Sequence, residues 1–305
     1  MAGGSGGSVS DYDRAKLFDK LQQSEEATKD KGFETQVNEY LNDLLAEFNR
    51  RSPDVSKHLD EIQKTISDEV GETLKLVFGG SVAKHTYVDG ISDVDALVLL
   101  GDSDYSNMAP DKVRDRFCNL IKARFPNFEV KAGTLAVTIY FPDVEVQLLP
   151  AVKAGRGFKI ANASGKEWST IRPRAFSNLL TKVNQANGSK VVPTIKMVKA
   201  INSNLPPSRQ LSSYHIESLA VEIFRGYTGP KTQKALLKHF YTDAKERVLK
   251  RMPDVTGQSS HVDEYLGRDK SVNRQVVADS LGLLARKMHS ADNAGTLGAW
   301  QEIIR

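Results

Sequence analysis

Apolar residues recur along this chain with two different periods, and the change of period divides it. Over residues 11 to about 70 the spacing is helical, as in Leu41, Leu44, Leu45 and Phe48, with Ser52-Pro53 breaking one helix before the next. From 73 to 150 the runs TLKLVF, DVDALVLL, LAVTIYF and VEVQLLP read as strands, and DKVRDRFCNLIKARF between them reads as a helix. AGRGFKIANASGKEW reads as a loop, after which residues 174 to 305 return to helical spacing in VVPTIKMVKAIN, SSYHIESLAVEIF and RQVVADSLGLLARKM. The pattern predicts an α+β protein: a lobe centred on a mixed sheet, a helical lobe after it, and a cleft between them. No internal repeat is visible.

Composition adds bounds to this picture. A chain of 305 residues with 40% hydrophobic content is long enough to bury a core in one large or two ordinary domains. The opening MAGGSGGSVS, residues 1–10, lacks the charged and apolar regions of a signal peptide and reads as a flexible leader. No apolar stretch approaches the roughly 18 residues of a membrane span, and a single cysteine, Cys118, forms neither an internal disulfide nor a zinc cluster. The expected location is the cytoplasm, with no membrane association. Lys plus Arg exceeds Asp plus Glu by 42 to 38, a surplus too small to imply a nucleic-acid wrap, and the basic run from Lys231 to Arg251 reads as a solvated helix face.

Candidate chemistry sits where the first strands meet a turn. In a strand, Asp93 and Asp95 project to the same face roughly 6 to 7 Å apart, and such a pair repels itself unless a cation lies between. Magnesium suits the position, because it takes oxygen ligands and is completed by substrate phosphates. Upstream, FGGS places Gly80 and Ser81 where a strand gives way to a turn, and VAKHT follows. Glycine lets backbone N–H groups approach a polyanion and a serine hydroxyl adds a donor, which together make a triphosphate cradle.

Gly80-Ser81, Asp93-Val94-Asp95 and the later strand DVEVQLLPAV resemble the signature of the polymerase-β-like nucleotidyltransferases. IKMVKAI, with Lys196 and Lys199 at i, i+3, and SSYHIE, Ser212 to Glu217, look like the helical lobe of the branch that holds cyclic GMP-AMP synthase and oligoadenylate synthase. DVTGQSSHVDEYLG, residues 254 to 267, is similar to a tail segment of the bacterial CD-NTases, which make cyclic oligonucleotide signals in anti-phage (CBASS) defence. The resemblance implies a nucleotidyltransferase core within residues 11–160, including the N-terminal helices, and a helical nucleotide-binding lobe over 161–305. It implies that Ser81 binds triphosphate beside Gly80, that Asp93 and Asp95 hold Mg²⁺ (or Mn²⁺), that Lys196 and Lys199 meet phosphates, and that Ser213 and Tyr214 contact a nucleotide, Tyr214 stacking on a base. The bland alternatives are solvated lysines on an amphipathic helix, a core tyrosine with a partnered hydroxyl, and, for His215, a satisfied structural histidine.

The chain departs from that pattern in two places. The family's third acidic residue falls on Gln147, which is neutral and no general base and is expected among the nucleotide-binding residues instead. Glu145 shares its strand face one pleat away and is the expected substitute as third carboxylate and metal ligand. There is also no Cys/His insertion of the kind the animal enzyme uses on DNA, so direct double-stranded DNA binding is disfavoured. The expected activity is two-metal nucleotidyl transfer from ATP, GTP, UTP or CTP to a cyclic di- or trinucleotide that switches on an effector. A catalytically weakened nucleotide-binding regulator and a template-independent RNA terminal transferase are the competing readings.

Overall fold

The computed structural model describes residues 11–49, 57–65, 74–77, 84, 86, 94–101, 105, 107–154, 157–162, 164–171, 173–255 and 260–304. Strand β1 (Leu74–Val77) pairs antiparallel with β2 (Val94–Leu100) at the start of a sheet. β3 (Glu129–Ala132) and β4 (Val137–Tyr140) form a hairpin whose second strand lies antiparallel to β5 (Glu145–Ala154). The order is β1-β2-β5-β4-β3, and β2 and β5 run parallel. A parallel pair needs a long crossover. Here the chain between the two strands includes the helix Pro110–Arg124 and the β3–β4 hairpin.

Period-2 alternation decides the faces of this sheet. Ala96, Val98 and Leu100 of β2, Val146, Leu148 and Val152 of β5, and Val137 and Ile139 of β4 are buried together. Val113, Phe117, Cys118 and Ile121 of the crossover helix cover them, as do Leu59 and Ile62 from the helical stretch 57–65. The alternate positions Leu97, Leu99, Leu149 and Ala151 join a smaller cluster with Ile160 and Ile171.

That second cluster corrects the expected loop. Residues 157–171 contain β6 (Gly157–Ala161) and β7 (Trp168–Ile171), an antiparallel pair that extends the sheet from the far end of β5. Gly165, with φ +72°, turns the chain between them. The sheet therefore includes strands as far as residue 171.

In chain order the helices are α1 (Asp11–Phe48), α2 (57–65), α3 (Pro110–Arg124), α4 (Pro173–Ala186), α5 (Val191–Ser203), α6 (Ser213–Phe224), α7 (Gln233–Arg247), α8 (Val272–Ala294) and α9 (Leu297–Ile304). Serine and threonine side chains cap three of them: Ser212 accepts from the His215 N–H, Thr232 from Ala235 and Ser271 from Arg274. Val37, Leu41 and Leu45 of α1 lie in the core built by α4 to α9, whereas α2 joins the sheet core.

The basic run 231–251 is not wholly solvated either. Lys234 is buried, with its ammonium 4.4 Å from the Phe33 ring, 2.8 Å from Asp292 Oδ1 and paired with Glu34. It joins α1 to α7 and α8. Burial alone would push the Asp292 carboxyl up, but hydrogen bonds from Lys234 and Lys238 and their charges hold it below the ordinary aspartate value.

Candidate active site

Two regions hold the residues singled out by sequence. The first is the N-terminal end of the parallel pair β2 and β5. Its register sets Val94 opposite Val146 and Asp95 opposite Gln147. Gln147 in turn faces Thr138 of β4, and Glu145 faces Tyr140. Asp95, Gln147 and Thr138 thus occupy one row across three strands, directly beyond the apolar positions Leu97 and Leu149. Glu145, exposed, starts β5 one pleat earlier, and Gln147 is half-buried. Gly80, Ser81 and Asp93 lie outside the described residues.

The second region lies where α5 and α6 meet the segment that follows Ser81 in sequence. Every residue of α5 from Thr194 to Ile201 is buried, so the helix is enclosed rather than amphipathic. Lys196 and Lys199, only 8% and 2% exposed, are therefore not solvated. Lys199 donates to Glu217 Oε1 at 2.9 Å and to the Thr86 carbonyl at 3.1 Å. The Thr86 hydroxyl donates to the same Glu217 oxygen at 2.6 Å, and Lys84 is paired with the other. Lys196 donates instead to Asn49, just past the end of α1.

Electrostatics explain why a carboxylate is tolerated there. Burial by itself would push the Glu217 carboxyl up, since the charged form loses its water. The charges of Lys84 and Lys199, with hydrogen bonds from Lys84 and Thr86, outweigh that and hold it below the ordinary glutamate value. Burial also pushes the Lys196 ammonium down, and the charge of Lys199 adds to the effect.

Tyr214 stands beside this cluster. Its ring packs edge-on to Phe176 with centroids 5.1 Å apart, and the Lys84 ammonium lies 5.3 Å from the Phe176 centroid and 5.5 Å from that of Tyr214. The Tyr214 hydroxyl donates to Asp254 Oδ1 at 2.8 Å, and Ser213 is exposed in the first turn of α6. His215 points away into the lobe: its Nδ1 lies 2.9 Å from the Tyr265 hydroxyl and its Nε2 3.7 Å from Asp263. Asp263 is itself bound by Arg274 at 2.7 Å, and all three charged or titratable side chains are fully buried.

The structure thus unites Lys199 and Tyr214 around Lys84 and Glu217, while Lys196 and His215 take other hydrogen-bond partners. Lys84, Thr86, Phe176, Glu217 and Asp254 had no assigned part on sequence grounds. Glu217 was detectable, because an acid in the apolar run HIESLAVEIF must find a cation if that helix is buried. Which cation it finds is not a local property: Thr86 is 131 residues away.

Comparison with known proteins supplies a context for this arrangement. The family described as Second Messenger Oligonucleotide or Dinucleotide Synthetase domain matches residues 34–184. A curated relative, the cyclic AMP-AMP-AMP synthase of Escherichia coli (strain MS 115-1), is 24% identical over 212 residues, spanning 62% of this chain and 64% of its own length. The chain thus spans just under two thirds of that relative. The solved complex of E. coli MS115-1 CdnC with HORMA-deltaN is similar in fold, with TM-score 0.68, 16% identity, and 83% of this chain and 91% of that one covered. Vibrio cholerae DncV, a cyclic AMP-GMP synthase solved with the linear intermediate 5′ pppA(3′,5′)pG, matches with TM-score 0.59, 12% identity, and 97% and 90% coverage. The α+β fold is that of the polymerase-β-like CD-NTases.

Proposed function

We propose that the chain belongs to the second messenger oligonucleotide or dinucleotide synthetase family, whose model matches residues 34–184, and that it is a metal-dependent nucleotidyltransferase that joins nucleoside triphosphates into a cyclic oligonucleotide. The observation that carries this reading is the parallel register of β2 and β5, which makes Asp95 and Gln147 direct neighbours at the polar end of an otherwise apolar sheet face. In the reaction, a ribose hydroxyl of one nucleotide attacks the α-phosphorus of another. The new phosphodiester P–O bond forms as the bond to pyrophosphate breaks, and the hydroxyl proton passes to a carboxylate of the site. A second such step closes the ring.

The donors of this region fit a hard cation. Asp93, Asp95 and Glu145 offer carboxylate oxygens and Gln147 an amide oxygen, the ligand chemistry of Mg²⁺ or Mn²⁺. When bound, the ion neutralises phosphate charge and makes the attacking hydroxyl more acidic. Gln147 leaves the set one negative charge short of three aspartates, and Glu145, on the same face one pleat away, makes up the deficit. Gly80 and Ser81 hold the triphosphate, the field of Lys196 and Lys199 favours it, and Ser213 and Tyr214 meet a nucleotide, the Tyr214 ring offering a face to its base. The product acts in the cytoplasm as a messenger to an effector in bacterial anti-phage signalling, and the CdnC complex with HORMA-deltaN supports regulation by a protein partner.

The neutral Gln147 favours one second reading, a nucleotide-binding regulator that turns over slowly or not at all. Incubation with labelled NTPs and Mg²⁺ or Mn²⁺, followed by phosphatase treatment and chromatography, separates the two. A phosphatase-resistant product with pyrophosphate release, lost in Asp95→Asn and in Glu145→Gln, supports the synthase. Saturable NTP binding without pyrophosphate, converted to turnover by Gln147→Asp, supports the regulator. Product that survives Glu145→Gln removes Glu145 from the site.

A further inference from the structure

We infer that Glu217 is a positioning residue for nucleotide binding: from helix α6 it fixes Thr86 and holds the Lys84 ammonium at the aromatic pair Phe176 and Tyr214. The inference rests on the nucleotide-binding site proposed above and adds to it a residue from the opposite lobe.

Three observations converge on Glu217. Its carboxylate is 1% exposed, yet both oxygens are engaged, Oε1 by Lys199 and the Thr86 hydroxyl and Oε2 by Lys84. Two of those partners, Lys84 and Thr86, lie three and five residues after Ser81 in sequence. The third partner, Lys199, also donates to the Thr86 backbone carbonyl, so the main chain at that point is held as well as the side chain.

The charges give the clamp a direction. Among Lys84, Lys199 and Glu217, two ammonium groups face one carboxylate. Lys199 is enclosed, whereas Lys84, at 13%, is the more exposed and lies against two ring faces. An incoming triphosphate competes with Glu217 for Lys84 without disturbing the bonds from Lys199 and Thr86 to Oε1. Glu217 therefore presents Lys84 to the nucleotide and keeps Thr86 in place.

The test is hydrogen–deuterium exchange on the full chain, comparing wild type with Glu217→Gln, and with Thr86→Val as the variant that removes one bond to Glu217 and no charge. Both variants are expected to speed exchange in peptides spanning 82–90, by tenfold or more for Glu217→Gln, while the interiors of α5, α7 and α8 stay as in wild type. A uniform rise across the helical lobe, or no change at 82–90, overturns the inference in favour of a purely structural acid. Binding of a fluorescent ATP analogue supplies the second arm: Glu217→Gln and Lys84→Met each weaken it about tenfold, and the double variant is no weaker than the poorer single one. Additive losses overturn the inference. A wild-type chain that binds no nucleotide sinks the proposed function instead, and leaves the exchange result standing on its own.

Discussion

Acidification from about pH 7 to about pH 4.5 is expected to weaken the helical lobe by about 2 kcal/mol through one imidazole, that of His215. The side chain is fully buried, its Nδ1 is 2.9 Å from the Tyr265 hydroxyl, and its Nε2 makes no hydrogen bond among the described residues. Burial is the main reason its pKa falls from 6.5 to about 4; the Asp263 carboxylate opposes the fall and the Arg274 guanidinium adds to it. Between those two values the unfolded chain binds a proton that the folded chain refuses, so stability drops as pH falls through 6.5 and the loss is complete below about 4. At about 1.4 kcal/mol per pH unit the full loss is about 3 kcal/mol, most of it reached by about pH 4.5. Glu217, Asp269 and Asp292, whose carboxyls are held below their ordinary values of 4.5 and 3.8, lose their contributions only at lower pH. The window above about pH 4.5 is thus clear of them. Urea unfolding at a series of pH values, read by tryptophan fluorescence with the buried Trp300 reporting this lobe, measures the slope. His215→Gln removes the titrating group, so its midpoint should vary less with pH than that of wild type. Equal slopes in the two proteins would refute the argument that His215 is buried neutral.

Two further predictions follow from buried groups and backbone strain. Arg274 is fully buried and donates to Asp263 and to the carbonyls of Val248, Lys250, Gly267 and Arg268; Arg274→Met leaves the Asp263 charge unpaired and should lower stability by about 3 to 5 kcal/mol in chemical unfolding. At Gly165 a methyl group would stand 2.9 Å from the Thr134 carbonyl oxygen at a φ of +72°. Gly165→Ala should therefore cost about 1 to 2 kcal/mol, seen as a lower Tm, with exchange rising at the β6–β7 hairpin and not in α5 to α8.

The parts of this protein legible in its sequence are those set by neighbours in the chain. Alternation of period 2 in β2, β4 and β5 marked the sheet, and spacing near 3.6 marked the helices, because each period records which side of a local element leaves water. Gly80-Ser81, Asp93-Val94-Asp95 and the later strand DVEVQLLPAV carry the resemblance to nucleotidyltransferases, and the register sets Asp95 against Gln147, the residue on which the pattern departs. The β6–β7 hairpin escaped because its strands are short and its connection is rich in Gly, Asn and Ser, so composition read as loop. The rest was decided by tertiary structure. Nothing in the spacing of Val37, Leu41 and Leu45 tells which lobe they pack against, since an apolar stripe fits either core. Lys196 and Lys199 looked solvated or free for phosphate because lysine usually keeps its charge in water. Burial of α5 on all sides overrides that preference, and Asn49, Thr86 and Glu217, brought in from other elements, accept hydrogen bonds from the two ammonium groups.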